Sequence, residues 1–245
     1  MKNASTALII GAGGGLGAAL CKQFQQSKDI ERVIAVSRQH IGHSTQEQEQ
    51  ITRYIGCDYT ESSIDAACKQ IRTLTNSISR VCICNGILHN DHIWPEKRIE
   101  DLDSSALLEI FNVNSVIPML WLKALLPVVK DSADCVITVF SARIGSISDN
   151  RSGGWYSYRA SKAALNMLLQ TAAIEFTRRA RNVKLIAFQP GTADTALSKP
   201  FQNSVKAENL LTPEFVARHL VNIMNNQTFD GQLSFVDWEN KAIAW

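Results

Sequence analysis

The run Gly11-Ala12-Gly13-Gly14-Gly15-Leu16-Gly17 follows a short apolar segment and precedes an amphipathic helical pattern. Glycine residues permit positive φ angles, let the backbone approach a bound group closely and allow the helix to pack near the strand. The free N–H groups and the positive dipole end of that helix then face the bound group. A strand, this turn and a helix at the start of the chain predict a site for the pyrophosphate of a dinucleotide.

Short apolar runs alternate along the chain with longer helical patterns, as is typical of βαβ units around a parallel sheet. Most of these runs are continuously apolar, as expected of strands covered on both faces. We predict one domain over residues 1–245, a doubly wound (Rossmann) α/β sheet of about seven mostly parallel strands. The predicted strands are Ala7–Ile10, Val33–Val36, Tyr54–Cys57, Val81–Cys84, Cys135–Phe140, Val183–Phe188 and Leu233–Val236.

Between the strands, a helix that starts at the glycine run is followed by four more, predicted over residues 61–75, 104–130, 157–180 and 213–226. Pro118 and Pro127 predict a kink and an end in the longest of them. The stretches 87–101 and 190–211 have no regular pattern, and loops of that length in compact domains are usually functional or mobile. We expect the second stretch to close over a substrate.

The second predicted strand ends at Val36-Ser37-Arg38, about 20 residues after the glycine run, where an acidic residue would bind the ribose 2′-hydroxyl of NAD. Here a small hydroxyl, Ser37, is followed by the guanidinium of Arg38, which suits a 2′-phosphate. This pair predicts NADP(H) as the cofactor. A solvated Arg38 and an enzyme that works with NAD stay open as alternatives.

Tyr158 and Lys162 lie four residues apart on the fourth predicted helix, so the phenol and the ammonium share one face. A phenol with an ordinary pKa of about 10 is poorly suited to proton transfer at neutral pH. A neighbouring ammonium and a positive nicotinamide favour the phenolate, so we expect a lowered pKa for Tyr158. The pair predicts a group that protonates a carbonyl oxygen as hydride arrives, or removes a proton in the reverse direction.

The glycine run and the Tyr158–Lys162 spacing together resemble the short-chain dehydrogenase/reductase family, over the whole chain and in the family's order. Its GxxxGxG pattern matches Gly11, Gly15 and Gly17. Within the family, residues 141–147 and 155–162 look most like the branch of sniffer-like carbonyl reductases and C-factor signalling proteins.

The resemblance implies further site residues. Asp58 corresponds to a residue near the adenine, and Asn114 to the active-site asparagine that holds a proton-relay water near the lysine. The turn Pro190-Gly191-Thr192 corresponds to the turn beside the nicotinamide, with Thr195 near the carboxamide. In the family, the fourth strand is followed by an Asn-Asn-Ala-Gly segment. This chain has Asn85 and Gly86 there, so the side-chain amide stands one residue later than in the family.

The serine that orients the carbonyl in this family is displaced here. The alignment puts Ser141 on the first serine of the family's pair and Ala142 on the second, which is usually the catalytic one. We take Ser141 as the candidate. Ser146 or Ser148 in the following loop could supply the hydroxyl instead, and complete loss of the hydroxyl is a further alternative.

Composition excludes several other classes. Hydrophobic residues make up 45% and charged residues 20% of the chain, and the formal net charge of +2 is spread without a nucleic-acid-binding patch. The six cysteines have no CxxC spacing, and the five histidines lack metal-ligand spacing, so we expect no metal site. No signal peptide and no stretch of about 20 apolar residues is recognised, which predicts a cytoplasmic protein without a membrane segment.

We therefore expect an enzyme that uses NADPH to reduce a ketone or aldehyde to an alcohol, with a small-molecule carbonyl or alcohol as its substrate. A surplus of apolar residues on helices 104–130 and 157–180, the pair through which family members commonly associate, predicts a homodimer or homotetramer. The alternative from another class is an NADP-binding signalling or regulatory protein in which turnover is incidental. The displaced serine favours that alternative, and the intact Tyr158 and Lys162 oppose it.

Overall fold

The computed structural model describes residues 5–38, 52–130 and 133–245. Its strands in chain order are β1 Thr6–Ile10, β2 Arg32–Ser37, β3 Thr52–Gly56, β4 Ile78–Ile83, β5 Cys135–Phe140, β6 Val183–Gln189, β7 Thr192–Ala193, β8 Leu210–Leu211 and β9 Ser234–Asp237.

Seven strands form one parallel sheet in the order β3-β2-β1-β4-β5-β6-β9. All seven strands predicted from the sequence are confirmed, with small shifts at their ends. The order of the strands reverses between β1 and β4, and this is the point where doubly wound sheets open a cleft at their carboxyl edge. The predicted fold class is thus confirmed.

Helices cover both faces of the sheet. Their bounds are α1 Gly15–Gln25, α2 Glu61–Leu74, α3 Ser104–Phe111, α4 Ile117–Val129, α5 Tyr156–Arg179 and α6 Pro213–Asn225. Alternate residues of a strand point to opposite faces, so Leu8 and Ile10 pack in the core beneath α2, α4 and α5, whereas Ala7 and Ile9 pack in the core beneath α1 and α6. This double burial explains why the strands are continuously apolar.

The long helix predicted over 104–130 is interrupted, but not at a proline. A π-helical turn, Asn112–Val116, separates α3 from α4. Pro118 lies in the first turn of α4, where a missing N–H group costs little, and the helix ends two residues after Pro127. The predicted kink is therefore a π turn that precedes Pro118.

Within the described residues, the helical segment Ser104–Val129 is long and apolar enough to cross a membrane by length and composition alone. The expectation that no stretch of the chain meets this condition is therefore wrong. Trp121, Leu125 and Val129 of this segment lie in the hydrophobic core between the sheet and the helices that cover it. A buried core helix meets the same condition, and we draw no membrane role from it.

The 190–211 stretch has more structure than the sequence indicated. Its ends form the parallel pair β7 and β8, and 3₁₀ turns cover Lys199–Ser204 and Ala207–Asn209 between them. The two ends of this predicted lid are therefore tied together by backbone hydrogen bonds, and the intervening segment projects as a unit.

Candidate active site

A cavity of about 460 Å³ opens at the carboxyl ends of β4, β5 and β6, beside the first turn of α1 and the start of α5. In open parallel sheets, ligands bind in this crevice. The strand ends line it with Cys84, Asn85, Gly86, Phe140, Ser141, Ala142, Gln189, Pro190 and Gly191.

The glycine run forms a tight turn from β1 into α1. Gly11 has a φ angle of +84°, and a Cβ atom there would lie 3.2 Å from the carbonyl carbon of Cys84. A Cβ atom on Gly17 would lie 2.2 Å from the carbonyl oxygen of Gly11, so the helix could not stay this close to the turn. Gly14 caps α1 without a side-chain hydrogen bond, and residues 13–15 are exposed. The amides of the first turn therefore face a ligand directly, which fits a pyrophosphate.

Ser37 and Arg38 lie next to this turn because β2 pairs with β1. A Cβ atom on Gly13 would lie 3.6 Å from the Cβ atom of Ser37, which is buried. Arg38 follows and is exposed, so its guanidinium is accessible to an anion. The chain immediately beyond, residues 39–51, lies outside the described residues.

Tyr158 and Lys162 share one wall of the cavity, one turn apart near the start of α5. The Nζ atom of Lys162 lies 5.9 Å from the centroid of the Tyr158 ring. It also donates a 2.8 Å hydrogen bond to the carbonyl oxygen of Phe140, at the end of β5. The structure thus brings together the two residues that the sequence predicted as a pair.

Burial shifts the pKa values of this pair away from their charged forms. It raises the pKa of Tyr158 to about 12 and lowers the pKa of Lys162 to about 7. The pKa of Tyr158 is thus raised by burial, whereas we expect an ammonium and a positive nicotinamide together to lower it. Removing the phenolate from water outweighs the attraction of an amine that is itself only partly protonated at neutral pH. A lowered pKa would require a further positive charge at the site, such as an oxidised nicotinamide ring.

Asn114 lies behind the cavity, in the π turn, and both polar atoms of its amide are hydrogen-bonded. Its Oδ1 atom accepts from the N–H of Ile87 at 2.7 Å, and its Nδ2 atom donates to the Ile87 carbonyl at 2.9 Å and to the Ser161 hydroxyl at 3.1 Å. A Cβ atom on Gly86 would lie 3.6 Å from Asn114 Oδ1 and 3.7 Å from Lys162 Nζ. Asn114 and Lys162 therefore approach each other across Gly86.

The three candidate serines differ in their access to the cavity. Ser141 lines it, but its hydroxyl donates a 2.6 Å hydrogen bond to Oδ1 of Asn166. Ala142 also lines it, at the place where the family has its catalytic serine. Ser146 and Ser148 lie in the following turn with their hydroxyls 3.4 Å apart, and neither is among the lining residues.

Two residues implied near the cofactor have different surroundings. Asp58 is exposed after β3, and the N–H and hydroxyl groups of Thr60 donate to its carboxylate at 2.9 and 2.7 Å. These hydrogen bonds lower the pKa of Asp58 and help to start α2, and the carboxylate does not line the cavity. Asn85 does line it, and its buried Oδ1 atom accepts no hydrogen bond from the described residues. A donor on a ligand would fit there.

The turn after β6 closes the other side of the cavity. Pro190, Gly191, Thr192 and Thr195 all line it, and Gly191 has a φ angle of +72°. A Cβ atom on Gly15 would lie 2.9 Å from Cγ2 of Thr195, so this residue of the predicted lid sits directly over the glycine run.

The sequence model of the short chain dehydrogenase family matches residues 5–206. This chain is a member of the short-chain dehydrogenase family. The family prediction is therefore confirmed.

Two curated relatives and one solved structure illustrate what this dehydrogenase is similar to. The 1-hydroxy-2-glutathionyl-2-methyl-3-butene dehydrogenase of Rhodococcus sp. (strain AD45) is 26% identical over 243 residues, which cover 98% of this chain and 100% of the relative. The C-signal protein of Myxococcus xanthus is 26% identical over 145 residues, 59% of this chain and 82% of its own. The NADPH-bound carbonyl reductase from chicken fatty liver superposes with a TM-score of 0.84 at 22% identity over 99% of both chains, a likeness of fold.

Glu96 is a buried residue beside the site that sequence reasoning missed. It is buried in the 87–101 stretch, and its carboxylate accepts from the N–H group of Ser157, at 3.2 and 3.3 Å, and from the Ser157 hydroxyl. Its carbonyl oxygen accepts from the N–H group of Trp155. Glu96 thus fixes the first turn of α5, which carries Tyr158. A single acid in an irregular loop gives no sequence signal for a contact with a helix about 60 residues later.

Phe201 is the second missed residue. It lies on the 3₁₀ turn of the lid and lines the cavity, with its ring centroid 5.0 Å from that of Trp155. An aromatic residue inside the predicted lid was the available signal, and the ring contact depends on how the lid folds.

The buried amine of Lys162 predicts a pH-dependent stability for this dehydrogenase without cofactor. Its pKa is about 7 in the folded chain and 10.5 ordinarily, so between these values the unfolded chain binds more protons and stability rises with pH. Between pH 7.5 and 9, the free energy of unfolding of wild type should rise by roughly 1–2 kcal/mol relative to Lys162→Met. Urea unfolding at both pH values measures this difference.

Lys28→Met, which changes an exposed lysine, should follow wild type. Parallel pH profiles for wild type and Lys162→Met would show that the amine is not held neutral.

Proposed function

We propose that this dehydrogenase uses NADPH to reduce a ketone or an aldehyde to the alcohol. The observation that carries the proposal is the Tyr158–Lys162 pair on the wall of a cavity that also meets the glycine run. A phenol and an amine in one enclosed site are the groups that proton transfer to a carbonyl oxygen requires. The NADPH-bound carbonyl reductase with the same fold supports the choice of reaction.

The residues that would hold the cofactor follow the cavity from one end to the other. The glycine run would bind the pyrophosphate, with Ser37 and Arg38 at the 2′-phosphate and Asp58 toward the adenine. Further residues proposed along the nucleotide are Leu16, Asn85, Gly86, Pro190, Gly191, Thr192 and Thr195. When bound, NADPH supplies the hydride for the carbonyl carbon.

Tyr158 would give its proton to the carbonyl oxygen. With a pKa of about 12 it is fully protonated at neutral pH, which suits the reductive direction. Lys162 would bind the ribose. Its positive charge would stabilise the phenolate that forms on Tyr158 as the proton leaves. Asn114 would support the proton relay behind Gly86, since it approaches Lys162 there.

Ser141 stays our candidate for orienting the carbonyl, because among the three candidate serines it lines the cavity. A hydroxyl has one proton to donate, and Asn166 accepts that proton in this structure. We propose that the hydroxyl rotates toward the substrate when a carbonyl binds. Without that rotation the carbonyl would depend on Tyr158 alone.

A second candidate function is an NADP-binding regulatory protein with little turnover. Ala142 in place of a serine and the similarity to the C-signal protein favour it. The buried pair of Tyr158 and Lys162 favours the enzyme, because a protein that only senses the cofactor has no need for a proton donor in its cavity. The six free thiols fit a reducing, cytoplasmic location for either function.

Tyr158→Phe separates the enzyme from the regulatory protein. The variant keeps the ring and removes the proton, so reduction of an accepted carbonyl should fall by about 10²–10⁴-fold while NADPH affinity changes little. NADPH oxidation and calorimetric titration measure the two effects.

Tyr156→Phe, two residues earlier and exposed, is the matched control and should retain wild-type rates. Lys162→Ala should weaken both binding and turnover. A Tyr158→Phe protein with the wild-type rate would refute this mechanism.

Arg38→Ala tests the choice of cofactor. A charge-assisted contact between the guanidinium and the 2′-phosphate should make NADPH bind at least about 10-fold more tightly than NADH. The variant should lose most of that preference and leave NADH binding unchanged. Titration of both cofactors into wild type, Arg38→Ala and the control Arg72→Ala measures this. Equal affinities in wild type, or a preference retained in Arg38→Ala, would favour the NAD enzyme.

We also propose that the chain forms a homodimer or homotetramer through α3, α4 and α5. Several apolar residues that suggested this in the sequence, such as Trp121 and Leu125, are in the core. Other apolar side chains on these helices and on the π turn between α3 and α4 are exposed, namely Leu108, Val116, Met167, Leu168 and Ile174. Light scattering should report an oligomer, and a monomer at micromolar concentration would overturn this proposal.

A further inference from the structure

We infer that the substrate carries a flat, uncharged aromatic group next to its carbonyl, and that this group packs against the rings of Trp155 and Phe201. The inference rests on the proposed function, because it names the class of carbonyl compound that the same cavity accepts. It is carried by the lining of the cavity and by a cluster of aromatic rings that joins the lid to the start of α5.

The lining selects against charge. Most of it is apolar, and its two ionisable cationic side chains are Arg143 and Lys162. Arg143 is already paired with Asp237 at 3.1 Å and Asp149 at 3.5 Å. Lys162 donates to the Phe140 carbonyl, and burial holds its pKa at about 7. A carboxylate or phosphate on the substrate would therefore lose its hydration without gaining a free cation.

The rings of Trp155 and Phe201 stand beside the proton donor. Their centroids lie 5.0 Å apart with the planes tilted by 59°, and the centroid of Trp155 lies 6.3 Å from that of Tyr158 in an edge-to-face arrangement. A planar ring attached to the carbonyl carbon can continue this cluster while the oxygen meets the phenol. An aromatic ring gains more from such tilted and edge-to-face contacts than a saturated group of the same size does.

The positions of Phe201 and Trp155 are fixed by contacts with other residues, which come from different parts of the chain. Phe201 contacts His89 at 5.6 Å and Trp94 at 6.0 Å between centroids, and His89 and Trp94 stack at 5.3 Å. Trp155 keeps a left-handed backbone conformation, with its N–H group bound to the carbonyl oxygen of Glu96. A binding surface whose side chains are already fixed loses little conformational entropy when a ligand arrives.

A matched pair of ketones tests the role of the ring. Acetophenone and cyclohexyl methyl ketone differ in aromaticity but little in size. Comparing their kcat/KM ratio between wild type and Phe201→Leu cancels the difference in their intrinsic reactivity. The ratio should fall by about 3- to 10-fold in Phe201→Leu, which keeps an apolar side chain in the lid. Phe229→Leu removes an exposed ring that does not line the cavity, and it should leave the ratio unchanged.

A second pair tests the exclusion of charge. Phenylglyoxylate and its methyl ester share the ring and the ketone, and the ester should have a kcat/KM at least about 10-fold higher. If the ratio of kcat/KM for acetophenone to that for cyclohexyl methyl ketone is unchanged in Phe201→Leu, the aromatic site is overturned. A higher kcat/KM for phenylglyoxylate than for its ester would overturn the neutrality of the site.

If none of these ketones is reduced, the proposed function fails, and saturation-transfer NMR with acetophenone decides the inference separately. Acetophenone signals that appear with wild type and are lost with Phe201→Leu would support the ring site. Absence of binding to wild type would overturn it.

Discussion

The parallel pairing of β1 with β2 on one side and with β4 on the other decides where chemistry can occur in this molecule. Both faces of the sheet are buried under helices, so the strands are mostly apolar. The polar side chains that line the cavity lie at the strand ends, in the loops that follow them and at the start of α5. Because all seven strands run in the same direction, these ends meet at one edge, and the reversal of strand order at β1 and β4 opens that edge into a cavity.

A site built at that edge carries an electrostatic cost. Tyr158 and Lys162 are withdrawn from water, and each is driven toward its neutral form. The hydrogen bond from Lys162 to the Phe140 carbonyl ties α5 to the end of β5 but cannot replace full hydration of an ammonium. Burial of this amine therefore lowers the stability of the folded chain near neutral pH. The apolar packing of α5 elsewhere, through residues such as Leu165 and Leu169, offsets the cost.

The strands and the juxtaposition of Tyr158 and Lys162 could be predicted because their signals are local. Continuous apolar runs mark buried parallel strands, and a four-residue spacing on a helix puts two side chains on one face. The direction of the Tyr158 pKa shift could not be predicted from Lys162 alone, since burial outweighs the neighbouring charge. The π turn at Asn114 and the Ser141–Asn166 hydrogen bond depend on how α3 to α5 pack, and no residue spacing encodes that packing.

Glu96 shows how a residue in a largely irregular stretch can fix the start of a helix that is distant in sequence. Its carboxylate meets the N-terminal turn of α5, where a negative charge is stabilised by the helix dipole, and its carbonyl holds the left-handed Trp155. Two residues before it, Trp94 joins the ring cluster that reaches Phe201 in the lid. The 87–101 stretch therefore holds the start of α5 through Glu96 and contacts Phe201 through the ring of Trp94. Phe201 and the first turn of α5, which carries Tyr158, therefore both contact this one stretch.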